Sequence, residues 1–282
     1  MKPAQLPAAR EVVMRREITE RPHLPPPARW IHHSDNDHDR PAVVPELYPR
    51  GVRLFYYYGR KYKHSVRYPA PEFRTVVEPF AGAAGYSCWN AERGRIDHAV
   101  LVDRDPVVVD LWHRLLSGSP LPDLVPIGEF TSDPYIMFQA NSANPRRKLL
   151  IGNMTSPRRQ EIVRKMTERL RPHCSGFDVR LGSYTDIEDD LIDNPELTWF
   201  IDPPYQVVDG GKTRGSGYRF GAEQIDYEHL AEWCRRIAGQ VIVCESYGAT
   251  WLPFTPVYQH PAMSGKPTTE VIWTNERVQG AT

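Results

Sequence analysis

From about residue 52 onward, apolar positions follow two alternating rhythms. Short continuous runs bounded by Gly, Pro and Asp read as buried strands, and stretches of helical period follow them. Thr75-Val76-Val77-Glu78-Pro79-Phe80 forms the first run, Ala81-Gly82-Ala83-Ala84-Gly85 a tight turn, and residues 86–93 a helix. The next strand is residues 98–103, and a helix follows from Pro106 to about Leu116. Proline suits a first helical turn, where its missing N–H costs nothing. Residues 178–181 and 199–202 read as the third and fourth strands. Residues 226–237 form a helix with Leu230, Trp233, Cys234 and Ile237 on one face. The fifth strand covers 240–244, and 257–260 with 269–273 make a closing antiparallel pair.

Strands alternating with helices predict an α/β fold, Rossmann-like, with a mostly parallel doubly wound sheet and the C-terminal antiparallel pair at one edge. Ligands of such sheets bind beyond the carboxyl ends of the strands. The turn at 81–85, Asp103 and the sequence Asp202-Pro203-Pro204-Tyr205 all fall at such ends.

Two regions break the rhythm. Residues 1–50 carry nine prolines and little apolar periodicity, and read as an extended arm with a short helix around 11–19. His32, His33, Asp35, Asp37, His38 and Asp39 lie in this arm. A solvated loop explains them better than a metal site, since nothing nearby would fix ligand geometry. Residues 51–282 form the main domain, and 117–175 interrupt it as a small inserted recognition segment. The insert ends in a helix over 155–171, capped by Thr155 or Ser156 with Pro157 at its start. Between Arg146 and Arg180 ten Lys/Arg face three acids, although the whole chain has no net charge. That local bias suits a phosphate backbone.

The four cysteines are scattered without a CxxC pair, which argues against a zinc site or disulfide framework. No apolar run reaches membrane-spanning length and no signal-peptide core opens the chain, so a cytoplasmic protein is expected.

The chemistry concentrates at residues 202–205. Proline fixes φ and removes a donor, so the carbonyls there remain acceptors. With the Asp202 carboxylate and the Tyr205 ring they match a planar base bearing an exocyclic amine. The turn after the first strand is not the Gly-x-Gly-x-x-Gly of dinucleotide sites. Asp103, about twenty residues on, is placed to grip ribose hydroxyls. Together these suit S-adenosylmethionine better than a nicotinamide dinucleotide.

Three segments in this order resemble the Dam-type DNA adenine-N6 methyltransferases. Tyr57-Tyr58-Gly59-Arg60-Lys61 is similar to that family's N-terminal Tyr-x-Gly-Gly-Lys motif. Glu78-Pro79-Phe80-Ala81-Gly82-Ala83-Ala84-Gly85 resembles its cofactor loop, and Asp202-Pro203-Pro204-Tyr205 is its catalytic motif unchanged. The likeness runs from about 54 to 275, excluding the insert. Arg60 replaces the motif's second glycine. Gly182-Ser183-Tyr184 stands where the family has Gly-Asp-Phe or Gly-Asp-Tyr. Ser183 can hydrogen-bond but supplies no carboxylate, and Asp186 is the candidate substitute.

The resemblance implies methyl transfer from S-adenosylmethionine to the N6 amine of an adenine flipped out of double-stranded DNA, without a metal, in a bacterial or phage-infected cell. Asp202 and the Pro203 carbonyl would accept the amine hydrogens, Pro204 would stiffen the turn and Tyr205 would stack on the base. Tyr58, Gly59 and Lys61 would lie near cofactor and base. Glu78, Pro79, Phe80, Gly82 and Gly85 would form the cofactor loop, Asp103 would hold the ribose, and Ser183 and Tyr184 would complete the pocket. Arg158, Arg159 and Lys165 of the insert, with Lys212, Arg214 and Arg219 of the glycine-rich loop after the shelf, would meet DNA phosphates. His229 is expected to be structural. The alternatives are methylation of the cytosine N4 amine, and a nucleic-acid-binding relative that has lost activity.

Overall fold

The computed structural model describes residues 61–119, 168, 170–207, 219–261 and 267–275. All belong to the compact unit formed by Glu46–Thr282. The N-terminal arm, Tyr58, Gly59, Arg158, Arg159, Lys165, Lys212 and Arg214 lie outside the described residues, as does nearly all of the helix expected over 155–171.

Seven strands form one sheet in the order β3-β2-β1-β4-β5-β7-β6. They are β1 (Thr75–Glu78), β2 (His98–Asp103), β3 (Phe177–Leu181), β4 (Thr198–Ile201), β5 (Gln240–Ser246), β6 (Thr255–Pro261) and β7 (Pro267–Thr274). β1 pairs in parallel with β2 and β4, β2 with β3, and β4 with β5. β7 runs antiparallel to both β5 and β6. The expected α/β sheet with its antiparallel closing strands is therefore what the chain adopts.

Strand residues alternate between two cores, as a period of two requires. Val76, Leu101, Phe200 and Ile242 face one side, packed with Tyr86, Leu111 and Trp112 of α1 (Gly85–Ala91) and α2 (Pro106–Ser117). Val77, Val102, Trp199, Ile201 and Val243 face the other. There they meet Ile192 of α3 (Asp189–Ile192) and Leu230, Trp233 and Cys234 of α4 (Tyr227–Arg236). A sheet covered on both faces explains why its strands read as continuous apolar runs.

Local chemistry sets the boundaries near the site. The first strand ends at Glu78, two residues earlier than expected, because Pro79 has no N–H for the ladder and Phe80 enters the turn. Asp105 caps α2 by accepting from the Val107 N–H at 2.9 Å, with Pro106 in the first turn. Asp226 caps α4 through the His229 N–H. The sheet order reverses between β1 and β4, and loops leaving neighbouring strands diverge at such a point to leave a crevice. No helix among the described residues is long and apolar enough to cross a membrane.

Candidate active site

The crevice opens at the carboxyl ends of β1, β2 and β4. Phe80, Gly82 and Gly85 of the first turn, Asp103 and Asp105, Ser183 and Tyr184, and the whole of Asp202-Pro203-Pro204-Tyr205 line one cleft. Lys61, Glu78, Pro79 and Arg219 line it with them.

The first turn is held open by backbone geometry. Gly82 (φ 46°) and Ala84 (φ 42°) both adopt the left-handed region. The alanine conformation is unusual for a residue with a Cβ. Bonds on both sides fix the loop. The Gly82 N–H donates to Asp103 Oδ2 at 2.8 Å, and the Gly82 carbonyl accepts from Trp112 Nε1 at 2.8 Å. Asp103 Oδ1 accepts from the Asp105 N–H at 2.8 Å. Burial pushes the Asp103 carboxyl up to about 6, and the two N–H groups oppose that rise. A carboxylate offers about four lone-pair sites, so acceptor capacity remains for ligand hydroxyls.

Gly85 has a different task from the one its position in the loop suggests. A Cβ there would lie 2.4 Å from the Tyr62 N and 2.9 Å from the Lys61 N. Its lack of a side chain lets the Lys61-Tyr62 backbone pass against α1, and that contact delivers Lys61 to the shelf. Glu78, also buried, turns its carboxyl to the first turn of α1 and accepts from the Ser87 N–H at 2.8 Å. Burial pushes Glu78 up to about 8, and the Ser87 hydrogen bonds oppose the rise. An acid therefore occupies the helix-end N–H that a dinucleotide site would offer to pyrophosphate.

Phe80 and Tyr184 form an aromatic wall, with ring centroids 5.6 Å apart. The Tyr184 hydroxyl is tied to His229 Nδ1 at 2.8 Å, which gives His229 the expected supporting role. Ser183 starts a short 3-10 turn in which Asp186 Oδ2 accepts from the Ser183 N–H at 2.8 Å. That capping box points the Asp186 carboxylate at its own turn, and Asp186 is absent from the cleft lining. The cleft takes no substitute carboxylate from it.

At the shelf, Lys61 Nζ lies 2.8 Å from Asp202 Oδ1 and 4.8 Å from the centre of the Tyr205 ring. Lys61 is only 4% exposed and Asp202 18%, so the pair is largely out of water. Burial pushes Asp202 up to about 6, and Lys61 opposes the rise. Burial works against the Lys61 charge, yet Asp202 and then Glu270 more than offset it and hold the ammonium form. The Pro204 carbonyl accepts from the Tyr227 hydroxyl at 2.6 Å. No hydrogen bond to the Pro203 carbonyl is found among the described residues.

Several groups around the shelf carry no signal in the sequence. Glu245 of β5 is fully buried and accepts from the Gln206 N–H at 2.9 Å, Trp251 Nε1 at 3.0 Å and its neighbour's Ser246 N–H at 2.7 Å. It thereby anchors the chain just past Tyr205. Glu270 of β7 accepts from the Tyr205 hydroxyl at 2.7 Å. Asn275 ties the end of β7 to Val241 and Gly239 and is structural. Arg219 reaches across to Asp105 at 3.0 Å, and Arg104 sits over the Phe220 ring at 4.8 Å. Arg219 thus belongs to the cleft wall beside the α2 cap.

The arrangement suits a nucleoside-bearing ligand without phosphates on the β1–β2 side, and a hydrogen-bond donor such as an amine on the shelf. Among the described residues no cluster of His, Cys, Asp and Glu is set to hold a metal ion.

No family model matches the chain, and no curated protein matches it in sequence. In the solved structures it is similar to the rRNA methyltransferase aviRa from Streptomyces viridochromogenes, at 15% identity and a TM-score of 0.39 over 74% of this chain and 79% of that one. It is also similar to an uncharacterized protein from Listeria monocytogenes serotype 4b, at 12% identity and 0.36, over 78% and 68%. A third is an rRNA methylase from Streptococcus thermophilus, at 11% identity and 0.31, over 74% and 91%. At such identities and scores the likeness carries no argument about what this chain acts on.

Proposed function

We propose that the protein is an S-adenosylmethionine-dependent methyltransferase of the Dam type, acting on the N6 amine of adenine in DNA. The observation that carries the reading is that Asp202-Pro203-Pro204-Tyr205 and the Phe80–Asp103 wall share one cleft. An arrangement with the shelf sealed away from that wall would have ended the reading.

S-Adenosylmethionine fits the donor side on three counts. The Phe80 and Tyr184 rings offer a surface for its adenine, and Asp103 an acceptor for its ribose. Glu78 already fills one of the helix-end N–H groups that a pyrophosphate would use. When bound, the cofactor supplies a methyl group activated by a cationic sulfur. The chain's own residues then need only position the acceptor. Asp202, whose Oδ1 already pairs with Lys61, and the Pro203 carbonyl accept the two amine hydrogens, and the nitrogen lone pair is directed toward the donor side. Tyr205 stacks on the base. Alignment of two reactants is worth up to roughly 7–11 kcal/mol of the barrier, which makes positioning a sufficient source of rate.

The adenine amine is hidden in a duplex, so the base must leave the stack at a cost of a few kcal/mol. The glycine-rich loop between the shelf and Arg219, and the basic segment between Arg146 and Arg180, supply the residues for phosphate contact in this reading.

The test is transfer of labelled methyl from S-adenosylmethionine to unmethylated DNA, followed by hydrolysis to nucleosides. The expected product is N6-methyladenine, lost in Asp202→Ala. Label in cytosine would reassign the amine. Full activity in Asp202→Ala would rule out the mechanism.

A further inference from the structure

Tyr205 carries a single hydroxyl proton to donate, and Glu270 and Asp202 both lie near it. Glu270 Oε2 receives it at 2.7 Å. Asp202 is the other acid the hydroxyl influences, and the Tyr205 O–H lowers its carboxyl pKa. Glu270 lies on β7, opposite Ser246 of β5 and Tyr258 of β6, and only 7% of it is exposed. The antiparallel strand brings this acid behind the shelf from 65 residues away in sequence.

We propose that Glu270 is a positioning residue, which accepts the hydrogen bond of the Tyr205 hydroxyl, fixes the ring in the cleft wall and leaves the Asp202 carboxylate to Lys61 and the incoming amine. A phenol ring turns about two side-chain bonds. A charge-assisted bond donated to a buried carboxylate is short and strong enough to select one orientation. With Glu270 gone, Asp202 remains among the described residues as an acid that the phenol hydroxyl acts on. An O–H donated there takes up an oxygen that the substrate amine needs. Lys61 gains from the same arrangement, because Glu270 adds to the Asp202 field that keeps its ammonium charged. The catalytic part of this inference rests on the methyltransferase reading. The hold of Glu270 on Tyr205 does not.

The experiment has two arms. In the first, tyrosine is labelled with carbon-13 at Cζ in the full chain, and the Tyr205 resonance is assigned by its absence in Tyr205→Phe. The expected result is a shifted resonance in Glu270→Gln, with phenol ionisation moved to lower pH, because one buried negative charge beside it is lost. A resonance and ionisation unchanged in Glu270→Gln overturn the proposal, whatever the enzyme does. In the second arm, methyl transfer to DNA is measured over a range of S-adenosylmethionine concentrations. Glu270→Ala is expected to lower kcat about ten- to hundred-fold, the scale of a small misplacement of reacting groups, with the KM for cofactor unchanged. Glu270→Gln, which keeps an acceptor oxygen, recovers most of the loss. Adding Tyr205→Phe to Glu270→Ala costs nothing further, since the competing O–H is removed. Multiplying losses in that double variant overturn the proposal. A wild-type protein that transfers no methyl refutes the Dam-type reading, and the resonance arm still decides the Glu270 contact.

Discussion

Replacing Lys61 by Met should move the pH at which methyl transfer switches on. Met keeps most of the stem's volume and removes the charge 2.8 Å from Asp202 Oδ1. At that separation and an effective dielectric near 20, the attraction is on the order of 6 kcal/mol. Most of it is offset by the desolvation of two buried groups. If about a quarter survives, ~1.4 kcal/mol, the Asp202 carboxyl shifts by one pH unit. Asp202 sits at about 6 with Lys61 beside it. It draws on its amine hydrogen strongly only as the carboxylate, so kcat should fall about tenfold per unit below that value. In Lys61→Met the inflection should rise to about 7 or above. Lys61→Arg keeps the charge and should leave it near the wild-type position. The assay is the pH profile of kcat at saturating cofactor, which separates Asp202 from ionisations that affect cofactor binding. An unchanged inflection in Lys61→Met would refute the claim that this ion pair tunes the acceptor.

Three further outcomes follow from the geometry. Gly85→Ala forces a Cβ against the Lys61-Tyr62 backbone, and overpacking of about 1–3 kcal/mol should lower Tm by roughly 2–10 °C, read by calorimetry, with kcat reduced as Lys61 is displaced. Asp103→Ala removes the acceptor of the Gly82 and Asp105 N–H groups together with the expected ribose partner. It should weaken S-adenosylmethionine binding about 10- to 100-fold by calorimetric titration, as for loss of charged hydrogen bonds. Thermal stability should fall as pH rises from about 5 to 8. Burial raises Asp202 to about 6, Glu245 to about 7 and Glu78 to about 8, so the folded chain holds protons that the unfolded chain has released. The stabilisation is complete below the ordinary carboxylate range and disappears through those values. A Tm that climbs steadily over this range would contradict the burial of these acids.

Local signals made much of the fold legible. β2, α2, β5 and α4 stand within a few residues of where apolar rhythm and caps put them, because Pro106 and Asp226 punctuate the chain as isolated peptides would. The shelf and the first turn were equally visible, since proline and glycine carry their conformational demands with them. The remaining features depend on partners distant in sequence. Gly85 reads as part of a cofactor loop, but its constraint comes from Lys61, 24 residues earlier, whose backbone passes where a Cβ would stand. Glu245 and Glu270 sit in apolar strands where a lone acid has no periodic meaning. Only the antiparallel pairing of β5 and β7 puts them behind Gln206 and Tyr205. Asp186 illustrates the reverse case, where a nearby carboxylate is used up locally in a cap.

The central claim is that one cleft presents a methyl donor to the Asp202 shelf. A crystal structure of the protein with a stable S-adenosylmethionine analogue measures this directly. In the expected complex the adenine ring lies beside Phe80 and Tyr184, the ribose on Asp103 and the transferable end faces Asp202. An analogue bound elsewhere, or with that end turned away from residues 202–205, would contradict it.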